Sequence, residues 1–360
     1  MASKFGRETQ RIVIQLREVL SRGLDRWKTR RYDNGPGARL QVRSGALTAG
    51  TGAAIYLIHQ PKGVADSTLV TCRHLAEAGF PALVVSNTPL SDADMTRLLQ
   101  VSAGLLVRPN VGYDFGGYRD GLRHLSQAGI DPDALLILND SVWFPLHRSE
   151  TLLARLKDNP AAFQGVFYEL KGKRTHRAHY ESYFFLIRRA ARESTAFRDF
   201  WDRYPMASAR WKVLRRGEQG FSQSMFDAGF AREGIGSRQD FKKLIEEQDN
   251  TFLRKTLDYA AYEHSDAQAE RDALLGEPDS PLWRAKAIAH IRRVARGGNY
   301  HQSFRYAAEK FFDIPFLKKN NRPPCPEMRR QYLRAVEAGD LVPPDAVMLS
   351  EIRTSVKVTT

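Results

Sequence analysis

Two cysteines, Cys72 and Cys325, carry all the thiol chemistry in 360 residues. That is too few for a disulfide framework or a thiolate-based zinc cluster. Long apolar runs are equally scarce, and none approaches the roughly 18–20 residues of a membrane-spanning helix. The opening MASKFGRETQR lacks the apolar core of a signal peptide, which sets the expectation of a cytoplasmic chain. Signatures of the readable nucleic-acid modules are missing too: no paired Cys/His finger, no RNP-type aromatic motif, no basic-region heptads. Neither an internal repeat nor a low-complexity tract is present. What is there is 42% hydrophobic and 10% aromatic, enough to bury a core. Acid is the charge in short supply, with 41 Asp and Glu against 55 Lys and Arg, a net charge of +14. An excess of that size suits an anionic partner, whether nucleic acid, an acidic membrane surface or a phosphorylated substrate, or else a solvated basic surface.

Residues 1–32 are expected to form a basic amphipathic helix. Ile12, Leu16, Leu20, Leu24 and Trp27 share one stripe, flanked by Arg11, Arg17, Arg22, Arg26, Lys28, Arg30 and Arg31. Such a helix either lies on anionic lipid or packs its stripe on the protein's own core. Residues 33–52 are Gly-rich and weakly patterned, the composition of a linker. From residue 53, strands and helices alternate. Ala53–Ile58, Ala82–Ser86, Gly104–Val107 and Ala134–Leu138 read as buried strands. Between them lie a helix from about Asp66 closed by Gly79, a helix capped by Ser91 with Asp94 in the capping-box position, and a Gly-rich loop leading into a helix to about Ala128. This alternation predicts a doubly wound, mostly parallel sheet flanked by helices. Ligands of such sheets bind beyond the strand carboxyl ends, here His59, Arg108–Arg119 and Asn139–Ser141. Further on, Ala162–Glu169 and Ser182–Arg188 read as strands, Ala190–Trp201 and Gly220–Ala228 as helices, and residues 265–312 as mainly helical and basic.

Two segments hold the chemistry. In Asn110–Gly121, Gly112, Gly116 and Gly117 let the backbone bend and approach a ligand closely, while Asp114 and Arg119 add opposite charges. A bare glycine turn has no need of Tyr113, Phe115 and Tyr118. The second segment is an apolar strand that ends abruptly in Asn139, Asp140 and Ser141. Asp140 there either holds a hard divalent cation, and through it a diphosphate, or caps the next turn.

Together, NVGYDFGGYRDGL and LLILNDSVWFPL resemble the rhamnan synthesis protein F family. The similarity extends upstream to YLIHQPKGVADSTL and VVSNTPLSDAD, and downstream to HYESYFFLIRR and GEQGFSQSMFDAGF. It covers roughly residues 54–235, with an echo near Pro315–Lys318. The resemblance implies a GT-A-like glycosyltransferase of polysaccharide assembly, working on a nucleotide-activated sugar, typically dTDP-rhamnose, and a lipid-linked or growing glycan acceptor. It implies that His59, Asn110, Gly112, Tyr113, Asp114, Gly116, Gly117, Arg119, Asn139 and Ser141 shape the donor site and that Asp140 sits by the diphosphate or a Mn²⁺ or Mg²⁺ ion. Two departures stand out: Asp140 is the lone carboxylate where GT-A enzymes carry Asp-x-Asp, and Phe144-Pro145 replaces a frequent Gly-Pro.

For the base of an inverting transfer, Glu218 resembles the helix-start acid of such enzymes, or else is an acid favoured by the helix dipole. Glu181, between His179 and Tyr183, is the reserve. His176, Arg177 and His179 suit a diphosphate or a basic loop equally. The expected organisation is a basic helix over 1–32, a linker over 33–52, a GT-A-like domain over 53–260 and a helical extension over 261–360. Its expected place is peripheral at the inner membrane face, on an anionic surface, without nucleic acid. Two rivals remain: a non-catalytic scaffold of a glycan-assembly complex and, on charge alone, a nucleic-acid-binding protein.

Overall fold

The computed structural model describes residues 21–35, 40–48, 50–169, 178–207, 209–232, 234–297 and 299–357. Ile12, Leu16 and Leu20 of the basic helix, and His176 and Arg177, lie outside the described residues. Along the chain, helix α1 (21–34) and strand β1 (Gln41–Ser44) precede β2 (Gly52–Ile58). The expected alternation follows with α2 (Asp66–Glu77), β3 (Ala82–Ser86), α3 (Asp92–Leu99), β4 (Gly104–Val107), α4 (Tyr113–Gln127) and β5 (Ala134–Asn139). Next come β6 (Val142–Trp143), α5 (Leu152–Asp158), β7 (Phe163–Glu169), β8 (His179–Tyr180), β9 (Phe184–Arg188), α6 (Arg189–Arg192) and α7 (Thr195–Arg203). Then α8 (Arg210–Lys212), a π-helical stretch (Val213–Gln219) and α9 (Gly220–Asp227) run on without a break. The remainder is β10 (Gly234–Ser237), α10 (Arg238–Glu246), α11 (Asn250–Asp258), α12 (Ser265–Gly276), α13 (Pro281–Gly297), α14 (Tyr300–Ser303), α15 (Arg305–Phe312), β11 (Leu317–Lys318), α16 (Cys325–Glu337) and α17 (Ala346–Lys357).

These elements form two compact units. The first is built from residues 1–64, 79–138 and 187–230, the second from 65–78, 139–186 and 231–360. In the first unit the strand order is β1-β4-β3-β2-β5. The β2–β3 and β3–β4 pairs are parallel, and every residue of β2 is buried, as a central parallel strand requires. The chain builds outward from β2 through β3 to β4, then returns to the other flank of β2 with β5. That reversal is a topological switch point, beyond whose carboxyl ends open α/β sheets bind their ligands. In the second unit the order is β9-β7-β10, with β8 beside β7 and a separate antiparallel pair of β6 and β11.

Side-chain caps set the starts of α3, α7, α10 and α11. Ser91 accepts from the Asp94 amide at 3.1 Å and donates to its carboxylate at 2.9 Å, the capping box that starts α3. Differences from the sequence expectation have physical causes. The stretch expected to be a linker contains β1, which pairs antiparallel with β4 from Gln41↔Val107 to Ser44↔Gly104. All four of its side chains are exposed, so it shows no apolar alternation. The helix expected over Ala190–Trp201 is broken, because Ser194 caps a fresh start at α7 by accepting from the Phe197 amide at 3.2 Å. Among the described residues no helix is long and apolar enough to cross a membrane.

Candidate functional site

The turn from β4 into α4 is built on positive backbone angles. Gly112 has φ +80° and Tyr113 φ +52°. Glycine takes that conformation freely, but for tyrosine it costs on the order of 1 kcal/mol. The Tyr113 ring is 40% exposed, and His59 and Asn110 are exposed as well. Asp114 stands half-buried in the first turn of α4, where the helix dipole favours an acid. Gly116 and Gly117 belong to α4 itself rather than to a loop. A Cβ on Gly116 would meet the Val111 carbonyl oxygen at 2.1 Å, and one on Gly117 would meet Leu57 Cδ1 at 2.2 Å. A Cβ on Gly121 would come within 3.0 Å of Ile55 Cγ2. Gly117 and Gly121 therefore permit a close approach of α4 to β2, while Gly116 lets α4 close on the Val111 turn before it. Their spacing held the clue, since residues 117 and 121 are four apart and share one helix face.

Beneath this turn lies a buried polar network of the first unit. Arg108, the first residue after β4, donates to Asp120 Oδ2 at 2.6 Å, Asn87 Oδ1 at 2.5 Å and the Val111 carbonyl at 2.6 Å. The Tyr32 hydroxyl donates to the same Asp120 oxygen at 2.7 Å. Arg119 grips Asp33 with both terminal nitrogens, at 2.9 and 2.6 Å, and Arg123 reaches it at 3.0 Å. Burial opposes ionisation of Asp33, but the Arg119 hydrogen bonds and the two guanidinium charges win and hold its carboxyl below the usual range. Burial, with Asp120 alongside, pushes the Tyr32 phenol up to about 12. Arg119 is thus engaged with Asp33. Sequence reasoning did not single out Tyr32, Asp33, Asn87 and Asp120, which come from three separate stretches of the chain.

Glu218 lies inside the π-helical stretch, half-buried. Because the helix already runs from Arg210, Glu218 is not an acid at a helix start, and the dipole account of it falls away. Single π turns recur at functional sites. This one lets Gly217 approach Phe115, where a Cβ would lie 2.6 Å from Cγ, and lets Arg216 donate to Asp25 at 2.8 Å.

In the second unit, the turn after β5 is held by Asn139, whose side-chain oxygen accepts from the Ser141 amide at 3.1 Å. The capping role considered for Asp140 is performed by its neighbour. Asp140 and Glu351 place their charges near the Lys319 ammonium; burial drives that ammonium's pKa down and the two carboxylates oppose the shift. The Lys319 amide donates to the Ser141 carbonyl at 2.9 Å and its Nζ to Ser67 Oγ at 3.2 Å. Glu351 accepts from Trp143 Nε1 at 2.8 Å and from the Ser67 amide at 2.9 Å. Arg329, fully buried, donates to the carbonyls of Lys318 and Asn320 and to Asn321 Oδ1, fixing the segment that carries both lysines. Among the described residues no three His, Cys, Asp or Glu side chains converge as metal ligands. Mn²⁺ or Mg²⁺, which seek about six oxygens, would find Asp140 and Glu351 beside the Lys319 ammonium, with water and a diphosphate left to supply the rest.

Glu181 has the more unusual surroundings. Its carboxylate lies 3.6 Å from Lys318 Nζ and 3.6 Å from His301 Nε2. The Lys318 ammonium sits 3.4 Å from the centre of the Tyr183 ring, and His301 stacks on Phe167 at 4.0 Å. Among the described residues, no hydrogen bond of ordinary geometry reaches Glu181 Oε2 or either ring nitrogen of His301. Burial works against the Glu181 anion, yet the charges of His301 and Lys318 and the Tyr183 phenol bring its pKa below the usual value. Burial also lowers His301 to about 4. Above that pH His301 is neutral, so Lys318 is the charge that keeps Glu181 ionised. Spacings of 3.6 Å are too long for direct hydrogen bonds, so these are charge contacts rather than bonded pairs. Sequence reasoning had Glu181 in reserve and missed His301 and Lys318, more than a hundred residues downstream.

Residues 82–266 match the family described as rhamnan synthesis protein F. That span holds Asn110 through Arg119, Asn139 through Ser141, Glu181 and Glu218; His59, His301, Lys318 and Lys319 fall outside it. Over 299 residues the chain is 30% identical to an uncharacterized protein, y4gN, of Sinorhizobium fredii, an alignment covering 83% of this chain and 74% of that relative. The family match spans just over half of the chain, which belongs to the rhamnan synthesis protein F family.

Proposed function

We propose that this protein is a glycosyltransferase with a GT-A-like core, moving a sugar from a nucleoside diphosphate onto a growing or lipid-linked glycan. Membership of a rhamnan synthesis family implies a role in polysaccharide synthesis. The family match is the observation that carries the reading, and rhamnose is the leading donor sugar on that ground. The strand order of the first unit adds support, because its switch point is where α/β sheets bind nucleotides. On that edge His59, Asn110, Tyr113 and Asp114 are the residues we assign to the donor, with Gly112 shaping the turn. Gly116, Gly117 and Arg119 act from behind, by seating α4 and α1.

In the transfer, the acceptor oxygen bonds to the anomeric carbon, the bond from that carbon to the diphosphate breaks, and the acceptor proton passes to a carboxylate. The candidates for that base are Glu218 and Glu181. We assign it to Glu181, whose buried carboxylate is held anionic beside Lys318. No step is routed through a metal.

The test is a transfer assay with dTDP-rhamnose and an oligosaccharide acceptor, following nucleotide release and product, beside a thermal-shift panel of nucleotide sugars with and without Mn²⁺ or Mg²⁺. A bound donor at a hundredfold excess over its Kd stabilises the fold by roughly 2.7 kcal/mol. Glu181→Gln should abolish most transfer while leaving donor binding within a few-fold; loss in Glu218→Gln alone would move the base to the first unit. If no nucleotide sugar shifts the melt and none is turned over, the enzyme reading is wrong and a scaffold takes its place.

A further inference from the structure

Helix α1 is turned inside out. Asp25 and Thr29, one turn apart, are buried, while Leu24 and Trp27 are 61% and 55% exposed. A surface helix normally does the reverse. Bonds fix the orientation: Asp25 accepts from Lys212 and Arg216, each at 2.8 Å, and Thr29 Oγ1 accepts from the Met206 amide at 2.9 Å. The apolar pair is therefore held outward by a polar latch. Of the two uses open to the stripe, packing on the protein's own core is not the one adopted by these two residues.

The same latch ties α1 to the helix running through Trp211 and Leu214, which are 56% and 46% exposed. Both tryptophans carry a cation, Arg31 at 5.5 Å from the Trp27 ring centre and Lys212 at 5.9 Å from that of Trp211. One face further round α1, Arg26 and Arg30 line a cavity of about 280 Å³ with Arg119, Arg123 and Arg203. These five guanidiniums outnumber the carboxylates that meet them, Asp33 and Asp202 in the cavity wall, Asp199 at 3.1 Å from Arg203 and Asp120 at 3.7 Å from Arg119. Asp33 is already shared between Arg119 and Arg123.

Guanidinium forks match phosphate oxygens, and tryptophan beside leucine suits the boundary between headgroups and acyl chains. We infer that this face of the first unit docks on an anionic bilayer, with Leu24, Trp27, Trp211 and Leu214 entering the interface and the arginine cavity receiving a phospholipid phosphate. The inference stands whether or not the chain is an enzyme.

The experiment is vesicle sedimentation of the full chain with phosphatidylcholine alone and with phosphatidylglycerol added. It compares wild type with Arg26→Gln/Arg30→Gln and with Leu24→Ser/Trp27→Ser. All four side chains are exposed, and an unchanged melting temperature confirms the fold; if one pair lowers it, the other pair and the salt dependence of wild type decide. Wild type should bind only vesicles containing phosphatidylglycerol, more weakly at high salt. The arginine pair should cost about thirtyfold in affinity, since each charge near an anionic surface is worth about fivefold. The apolar pair should also weaken binding severalfold at unchanged charge. Equal binding to neutral vesicles, or full binding by both variants, would overturn the inference. So would pyrophosphate stabilising the protein without any vesicle binding, or tighter binding to a short DNA duplex lost with the same arginines.

Discussion

The buried polar groups around Arg108 and those around Glu181 are finished to different standards. In the first unit, Arg108 meets Asp120, Asn87 and the Val111 carbonyl, and Tyr32 meets Asp120, all between 2.5 and 2.7 Å. Around Glu181 in the second, the ion pairs stretch to 3.6 Å and the nitrogens of His301 meet no hydrogen-bond partner among the described residues. A satisfied network fixes backbone; an under-satisfied one is costly to maintain and recurs where chemistry is done.

Asp120→Asn is the most severe way to test that contrast. It leaves Arg108 buried with its charge uncompensated and should lower unfolding free energy by about 3–5 kcal/mol, read from urea melts. A variant as stable as wild type would mean that the network is decorative.

Glu181→Gln should act on rate instead. Transfer should fall by roughly 10²–10⁴ in kcat, with stability within about 1 kcal/mol of wild type. A large loss of stability with unchanged kcat would put Glu181 on the structural side.

His301 sharpens the contrast through pH. Its pKa falls from 6.5 to about 4 in the fold, so the unfolded chain binds the extra proton first. Stability from this group is complete above about pH 6.5 and drains away as pH falls toward 4, by up to about 3 kcal/mol. His301→Gln should flatten that acid limb in melts across pH; an unaltered limb would show that other groups set it.

The smallest effect belongs to Gly117→Ala. The new methyl would sit 2.2 Å from Leu57 Cδ1 and force α4 off β2, costing about 1–3 kcal/mol in a thermal melt. A neutral outcome would return Gly117 to a purely ligand-facing role.

The alternating half of the fold was legible because buried parallel strands are continuous apolar runs. Ala82–Ser86 and Gly104–Val107 needed no other signal, and Ser91 with Asp94 announced its helix. β1 was illegible for the opposite reason: its place is set by main-chain pairing with β4, and its side chains touch nothing that selects them. Glu181 could be nominated from its neighbours in sequence, but the residues that define its surroundings, His301 and Lys318, arrive from α14 and β11. Arg119 read as a ligand-binding charge because a single arginine among glycines does not reveal that Asp33 awaits it.

The π-helical stretch from Val213 to Gln219 acts as a phase shifter. An α-helix accommodates one extra residue by widening a turn, and everything downstream is then rotated relative to the residues before it. Arg216 and Gly217 keep their azimuths toward Asp25 and Phe115 only with that surplus residue in place. Excising one residue from the stretch would restore the α-helical phase and swing Glu218 away from its present bearing, while leaving its chemistry unchanged.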